Sequence, residues 1–287
     1  LFPSLTVKYN VEDNLVLSGA YTTSIARPNY YSLVPYTSIS QSAEEVSVGN
    51  PNLKATYAHN FDLSAEYYFK SVGLISAGVF YKNLKNFIYK YTNVSYTSND
   101  FTTDFPDIPS PIPADNDWTY SESRNGKGVD VFGLELAVQR KLDFLPGTFL
   151  KNFAVYLNYT YTCSQTKGIW DSKGNERTDI SLPGTAPHMF NASLSWENKK
   201  LSARASLNYT SDYVDALGGE AFEDSYYDKQ LFLDMNASYK VTSQFRIFAE
   251  ANNPTNQPLR YYQGEKNRVM QLEYYQPSFN LGVKYDF

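Results

Sequence analysis

Residues 201–210 read Leu201-Ser202-Ala203-Arg204-Ala205-Ser206-Leu207-Asn208-Tyr209-Thr210, so every second side chain is apolar and each side chain between is polar. This period of two is typical of a β-strand with one face in an apolar environment and the other in water. The same alternation recurs at residues 153–162, 190–197, 231–240 and 278–287. Helical periodicity is nearly absent, and we therefore predict an all-β protein.

The connections between the predicted strands alternate between short and long. The short ones cover residues 11–14, 70–73, 142–148, 197–200 and 241–243. The long ones cover residues 25–55, 92–125, 165–185 and 213–228, and the last connection is a tight turn at 264–267. A soluble β-sandwich has shorter strands, with turns every ~8–12 residues. Short turns at one end and long loops at the other indicate a transmembrane, antiparallel, up-and-down β-barrel.

The composition fits a barrel wall. The mean hydropathy is −0.45, although 26 Tyr, 18 Phe and 3 Trp make 16% of the residues aromatic. A barrel strand presents one face to lipid and the other to a wet lumen, so its average is hydrophilic although it spans a bilayer. Aromatic girdles at the two membrane interfaces account for the tyrosines. We therefore expect the chain to lie in outer-membrane lipid.

Several other classes are disfavoured by the same sequence. No stretch approaches the run of about 18 apolar residues that a membrane-spanning helix needs. A net charge of −5 argues against a nucleic-acid partner. The single Cys163 excludes an internal disulfide framework and a cysteine-based zinc site. His59 and His188 are far apart, and no compact nucleophile–base motif is present, so we predict no metal, no cofactor and no catalytic residues.

The strand count points to an incomplete barrel. We predict eleven strands, at residues 3–10, 14–25, 55–69, 73–91, 126–141, 149–164, 185–197, 200–213, 228–241, 243–262 and 268–287. A kink is expected at residues 252–256, because Pro254 removes a ladder donor. Bacterial single-chain barrels have an even number of strands. We therefore expect residues 1–287 to form a single partial barrel domain, the C-terminal half of a plugged barrel of about 22 strands.

Seven stretches follow one another in an order and at a spacing that are specific only together. They are Ser24-Ile25-Ala26-Arg27-Pro28, Gly49-Asn50-Pro51-Asn52-Leu53, Asn60-Phe61-Asp62-Leu63-Ser64-Ala65-Glu66-Tyr67-Tyr68-Phe69, Phe80-Tyr81-Lys82-Asn83, Phe132-Gly133-Leu134-Glu135-Leu136, Ala251-Asn252-Asn253-Pro254-Thr255-Asn256 and Phe279 to Phe287. With them the chain resembles the C-terminal half of the barrel of a TonB-dependent receptor, of the kind abundant in Bacteroidota.

The resemblance implies energised uptake of a scarce ligand across the outer membrane, and not an enzyme. In that family an N-terminal plug domain fills the lumen, and a short segment engages the TonB system. Neither is found in these residues, nor is the N-terminal half of the barrel. A passive porin and a complete small barrel enzyme are the alternatives, and the odd strand count argues against both.

The polar face of the predicted strands carries charged residues. They are Asp62, Glu66, Glu135, Arg204, Asp234, Arg246 and Glu250. A catalytic or ion-conducting role is one interpretation. We prefer wall groups that face a plug, because the interior of such barrels is polar in any case.

Two acidic, aromatic loops are the predicted ligand-binding elements, because long loops on a rigid scaffold are where binding residues concentrate. Their candidate residues are Asp115, Asp117 and Trp118 in one loop, and Tyr213, Phe222, Tyr226 and Tyr227 in the other. Rings that stack and carboxylates that accept hydrogen bonds from hydroxyls suit a glycan. Calcium binding or solvated loops without a ligand are equally open. An anionic iron complex would call for a basic funnel, which is not seen, so a carbohydrate or other neutral small molecule is favoured.

The last strand ends on an aromatic residue. Phe279, Leu281, Val283, Tyr285 and Phe287 alternate with polar residues up to the terminus. This pattern is similar to the signal that the barrel-assembly machinery reads, although any lipid-facing last strand would show it.

Overall fold

The computed structural model describes residues 2–178 and 180–287. The elements up to residue 141 are β1 (Ser4–Glu12), β2 (Leu15–Ala26), α1 (Tyr30–Leu33), β3 (Thr37–Ser40), β4 (Glu45–Val48), β5 (Thr56–Tyr68), β6 (Gly73–Lys85), β7 (Ile88–Tyr96), α2 (Ser98–Asp104), β8 (Trp118–Asn125) and β9 (Gly128–Lys141). Next come β10 (Phe153–Lys167), β11 (Ile169–Trp170), β12 (Glu176–Arg177), β13 (His188–Glu197), β14 (Leu201–Thr210), β15 (Tyr213–Ala216), β16 (Ser225–Tyr227), β17 (Gln230–Lys240), β18 (Phe245–Asn252), β19 (Leu259–Gln263), β20 (Val269–Glu273) and β21 (Ser278–Tyr285).

Eleven of these strands form one antiparallel sheet, in the order β1-β2-β5-β6-β9-β10-β13-β14-β17-β18-β21. They are the eleven strands that the alternation predicts, and the order follows the chain, so the fold class and the up-and-down topology are confirmed. Among the residues described, β1 and β21 each pair on one side only. The sheet is therefore open, as part of a barrel would be.

The predicted strand 73–91 is wrong at its C-terminal end. The strand β6 ends at Lys85, and the next residue, Asn86, adopts a left-handed φ of 55°. Asparagine tolerates that conformation better than most residues, and here it turns the chain out of the sheet. The residues beyond it enter β7, which belongs to a separate sheet.

The last two predicted strands are each divided in two. The kink expected at residues 252–256 is confirmed, because β18 stops at Asn252 and Asn253 turns with a φ of 47°. The chain resumes as β19 in another sheet. The predicted strand 268–287 breaks before β21, where Gln276 has a φ of 66°. Of these four segments, only β18 and β21 belong to the main sheet.

The register of the main sheet separates an apolar face from a polar face. Rows of facing residues run across the strands, for example Ala203–Ala237–Ala249–Leu281 on the apolar face and Arg204–Asn236–Glu250–Asn280 on the polar face. The apolar face is bare, since Leu63 and Leu281 are 65% and 81% exposed. So large an apolar surface needs a covering, and a bilayer provides one.

The long connections all lie at the same end of the strands of the main sheet, which we term the loop end. They form further, smaller sheets. One has the order β3-β4-β8-β7, in which β4 and β8 run parallel, and another has the order β15-β16-β19-β20. A small hairpin, β11–β12, lies between them in sequence. The loops therefore have defined structure of their own.

The first loop sheet has its own hydrophobic core. Its members, each no more than 4% exposed, are Val46, Tyr96, Phe101, Ile112 and Trp118. The short helix α2 begins at a capping box formed by Thr97 and Asp100, and it inserts Phe101 into this core. No helix in the described part of the chain is long and apolar enough to cross a bilayer.

Candidate functional site

The charged residues predicted to face a plug all lie on the polar face of the main sheet. Arg204 and Glu250, for example, both face Asn236 across adjacent strands. One oxygen of Asp234 accepts a hydrogen bond from the Asn253 backbone at 3.0 Å. The Nε of Arg246 is buried without a hydrogen-bond partner among the residues that the structure describes. The polar face thus contains groups that can bind a covering element or water.

Three asparagines form a ladder across the same face. Asn158, Asn191 and Asn208 face one another on β10, β13 and β14. The Asn191 amide donates to the Asn158 side-chain oxygen at 2.8 Å, and the Asn208 amide donates to Asn191. A row of mutually bonded amides keeps the face polar without adding charge.

A cavity of about 290 Å³ lies between α2 and the strands β7 and β8, at the loop end. It is lined by Tyr91, Asn93, Tyr96, Asp100, Thr103, Asp104, Tyr120 and Arg124, and we call it the α2 cavity. The helix contributes Asp100, Thr103 and Asp104, which share one helical face because they are three and four residues apart. Aromatic rings, carboxylates and a guanidinium thus surround one small space.

The protonation states in the α2 cavity follow from burial and hydrogen bonding. Burial raises the pKa of Tyr96, and its hydrogen bond to Asp104, 2.7 Å long, raises it further. Burial and the nearby Glu122 carboxylate raise the pKa of Tyr120 to about 12. For Arg124, burial acts to lower the pKa, but the bond from its Nε to Glu122 outweighs this. Both phenols therefore stay neutral, and Arg124 stays charged.

The second loop sheet presents adjoining tyrosines, and we call it the tyrosine sheet. On one face the ring centroids of Tyr213 and Tyr227 are 5.6 Å apart, and those of Tyr227 and Tyr261 are 4.6 Å apart. On the other face Tyr226 stacks on Tyr262 at 5.1 Å. Tyr262 is 3% exposed, whereas the first row is half-buried. That row forms an ordered, partly accessible aromatic surface.

The predicted ligand residues are distributed between these two loop sheets. Tyr213, Tyr226 and Tyr227 come together in the tyrosine sheet, and Phe222 lies nearby with 55% exposure under the Arg268 guanidinium. The side chains of Asp115 and Asp117 are exposed just before β8, which belongs to the first loop sheet. Trp118 beside them is 4% exposed in the loop core, which leaves its ring no face for a ligand.

Most carboxylates of the tyrosine-rich loop are already paired with cations. Arg177 donates two hydrogen bonds to Asp224, at 2.9 and 2.6 Å, and Arg260 bonds to Asp228. Lys173 lies 2.7 Å from Glu220. No group of three or more potential metal ligands is found in the part of the chain that the structure describes. Of these pairs, only Arg177–Asp224 is almost fully buried, with side chains 9% and 2% exposed, and it joins two loops at the loop end.

The family model for the "TonB dependent receptor-like, beta-barrel" matches residues 1–253. The chain belongs to the TonB-dependent receptor family. Members of this family are outer-membrane β-barrels that act as receptors and transporters, and not as enzymes. In a TonB-dependent receptor barrel the short turns are periplasmic and the long loops extracellular, so the loop end is the extracellular end.

Solved structures of this family share the fold. The chain matches the ferric enterobactin receptor of Pseudomonas aeruginosa with a TM-score of 0.62 and 17% identity, covering 100% of this chain and 40% of that one. It matches the ferric-catecholate import receptor of E. coli K12 with a TM-score of 0.63 and 16% identity, covering 99% and 34%. The siderophore receptor of Acinetobacter baumannii gives a TM-score of 0.62 and 16% identity, covering 100% and 41%.

The chain thus spans 34–41% of the length of these receptors. No curated protein sequence matches it. At such low identity, the similarity of this TonB-dependent receptor barrel to the solved structures concerns the fold alone.

Sequence reasoning missed part of both candidate sites. Tyr261 and Tyr262 were assigned to a barrel strand, and nothing marked Tyr91 or Arg124 as binding residues. A signal for the first pair exists, because Tyr226-Tyr227 and Tyr261-Tyr262 are both tyrosine doublets in loops of this receptor barrel. The α2 cavity has no such signal, since its lining comes from residues up to 33 positions apart that only the folded loop brings together.

Proposed function

We propose that the intact protein is an outer-membrane receptor that takes up a neutral oligosaccharide by TonB-dependent active transport. The observation that carries the ligand class is the tyrosine sheet, whose row Tyr213–Tyr227–Tyr261 lies at the extracellular end. Sugar rings stack on aromatic faces through their C–H groups, while their hydroxyls bond to nearby polar side chains. An ordered row of three rings suits a chain of sugar units.

The charge of the loops supports a neutral ligand over an anionic iron complex. Residues 99–118 contain five aspartates and no basic residue. Residues 211–229 contain six carboxylates, of which four are paired with cations from other segments. An acidic entrance repels an anion as it approaches. The solved relatives include a ferric enterobactin receptor and a siderophore receptor, which makes an iron complex the competing ligand to test.

The two faces of the main sheet have different proposed partners in the intact receptor. We place residues 1–287 as one partial barrel domain, with the rest of a barrel of about 22 strands closing on the free edges of β1 and β21. A plug domain would then cover the polar face, where Asp62, Glu135 and Arg246 are among the wall groups. Coupling to the TonB system belongs to that plug. Outer-membrane lipid covers the apolar face.

Deleting the gene is expected to abolish growth on one oligosaccharide while growth under iron limitation stays normal. The physical reason is that the ligand is too large and too scarce for passive entry. A plasmid encoding the Tyr213→Ala/Tyr227→Ala double variant is expected to restore growth poorly, because both stacking rings are lost. Tyr30→Ala, a change at a tyrosine that is 85% exposed in another loop, serves as the matched control and should restore growth fully.

Two other results would favour an iron-complex receptor or a passive porin. A growth defect only under iron limitation would contradict the glycan proposal and favour an iron complex. Large constitutive conductance of the intact protein in a planar bilayer would instead indicate a passive porin.

The C-terminal strand supports a proposed contact with the barrel-assembly machinery. The residues Phe279, Leu281, Val283, Tyr285 and Phe287 project from one face of β21 and its terminus, each more than half exposed. Tyr285 and Phe287 make an edge-to-face contact at 5.3 Å, so the last two aromatics form one unit. Among the described residues, β21 pairs with β18 only, so its other backbone edge is one that another strand can join, next to this apolar row.

Deletion of Phe287 from the full-length protein is expected to lower the amount inserted in the outer membrane several-fold, because the aromatic end of this surface is lost. The measurement is the amount of folded protein in membrane fractions, which runs as a heat-modifiable band in gel electrophoresis. Lys199 is an exposed residue in the turn between β13 and β14, and its deletion is the control for the loss of one residue elsewhere in the chain. An unchanged folded yield after loss of Phe287 would contradict the assembly role.

A further inference from the structure

The α2 cavity has two rigid walls. On one side, Phe101 has no exposed surface and lies against Phe105 at 4.9 Å, so the core fixes the helix in place. Asp100, Thr103 and Asp104 therefore present a fixed polar face. On the other side, Tyr91 and Tyr120 lie on one face of β7 and β8, with Tyr120 packed against Tyr96 at 4.8 Å. Preorganised walls lower the entropic cost of binding a ligand.

Arg124 is held in place without losing its terminal donors. Its guanidinium lies 3.6 Å from the centre of the Tyr91 ring, and its Nε donates to Glu122 at 2.8 Å. Within residues 2–178 and 180–287, the terminal nitrogens of Arg124 make no hydrogen bond, and neither does the hydroxyl of Tyr91. These donors remain available at the cavity surface.

The cavity also offers acceptors. Asp104 uses one carboxylate oxygen for the Tyr96 hydroxyl, and the other oxygen has no hydrogen-bond partner among the described residues. The side-chain oxygen of Asn93 accepts from the Ser95 backbone at 3.0 Å, which leaves the amide donors. Donors and acceptors thus alternate around aromatic rings.

Hydroxyl groups match such a lining, because each one both donates and accepts a hydrogen bond. The carboxylates outnumber the cations, since Glu122 already neutralises Arg124 while Asp100 and Asp104 remain. An anionic ligand is therefore disfavoured. A volume of about 290 Å³ is at the small end of ligand clefts and suits a single sugar unit.

We propose that the α2 cavity is a second carbohydrate subsite, which holds one monosaccharide unit of a neutral glycan outside the tyrosine sheet. The proposal rests on the proposed function and adds a separate site to it. Asp104 and Asn93 bind the hydroxyls, the part of the Tyr91 ring that Arg124 leaves uncovered contacts the sugar, and Arg124 donates to a sugar oxygen.

The test measures glycan affinity of the full-length receptor by isothermal titration. The probes are maltohexaose, cellohexaose, xylohexaose, mannohexaose and laminarihexaose, with ferric enterobactin as the iron probe. Tyr91→Ala and Asp104→Ala are each expected to weaken binding of the recognised hexasaccharide at least tenfold. Tyr30→Ala is the matched control and should stay within twofold of the wild type. Asp104→Asn, which keeps an acceptor for the Tyr96 hydroxyl, is the second variant in case Asp104→Ala disorders α2.

The outcomes distinguish this subsite from the proposed function. Equal affinity of the wild type and all α2-cavity variants for a bound hexasaccharide would overturn the subsite and leave glycan uptake standing. A receptor that binds ferric enterobactin, or none of the probes, would overturn both. Weaker binding in the cavity variants, with proteolytic cleavage within residues 97–117 as slow as in the wild type, supports the subsite.

Discussion

Replacing Arg177 by methionine is expected to destabilise the packed loops at the extracellular end by about 3–5 kcal/mol, the usual cost of removing one partner of a buried ion pair. The side chains of Arg177 and Asp224 are 9% and 2% exposed, and two hydrogen bonds join them. The variant leaves the Asp224 carboxylate buried without its cation. Because this pair joins the β12 hairpin to the loop that precedes β16, both segments should loosen together.

Hydrogen exchange of residues 169–177 and 211–229 in the full-length receptor measures this effect. The double variant Arg177→Met/Asp224→Leu should recover most of the protection, since an apolar pair of similar size avoids the unpaired charge. Lys173→Met breaks an exposed pair, in which the Lys173 side chain is 65% exposed, and should leave exchange unchanged. Equal exchange in Arg177→Met and the wild type would show that the pair does not hold the loops.

Phe101→Ala is expected to cost the first loop sheet about 3–5 kcal/mol, as large-to-small changes at fully buried aromatic residues do. Phe101 has no exposed surface and contacts a core built from three separate parts of the chain. The loss should detach α2 from β7 and β8. The main sheet has its own ladder of hydrogen bonds, so the barrel should still fold.

Limited proteolysis of the intact receptor checks this prediction. Cleavage within residues 97–117 should become much faster in Phe101→Ala, while the heat-modifiable barrel band stays unchanged. Phe144→Ala, at a phenylalanine that is 63% exposed at the periplasmic turn end, is the matched control and should not alter cleavage of the loop. Unchanged cleavage in Phe101→Ala would mean that α2 is held by something other than this core.

The barrel wall was predictable because its information is local. In Leu201–Thr210 the alternation alone assigns each residue to a face, and a strand has no other way to place one set of side chains in lipid and the other in water. The errors occurred where strands leave the wall. At Asn86 and Gln276 a single left-handed residue turns the chain, while the alternation around it continues.

The candidate sites were only partly predictable, because their contacts join distant residues. The loop tyrosines were recognisable as doublets, but the pairing of Tyr227 with Tyr261 depends on a strand that the sequence pattern assigned to the barrel. Trp118 was expected at a binding surface, yet it packs with Val46 from another loop. A local pattern cannot distinguish a ring that binds from a ring that packs.

By itself, the sequence determined the all-β class, the eleven wall strands and the two faces of the sheet, because a period of two is a property of neighbouring residues. Tertiary structure alone decided that the loops fold into sheets with a core, that Arg177 meets Asp224, and that α2 encloses a polar cavity. Each of these depends on contacts between segments tens of residues apart, whose energies come from burial and charge pairing in the folded state.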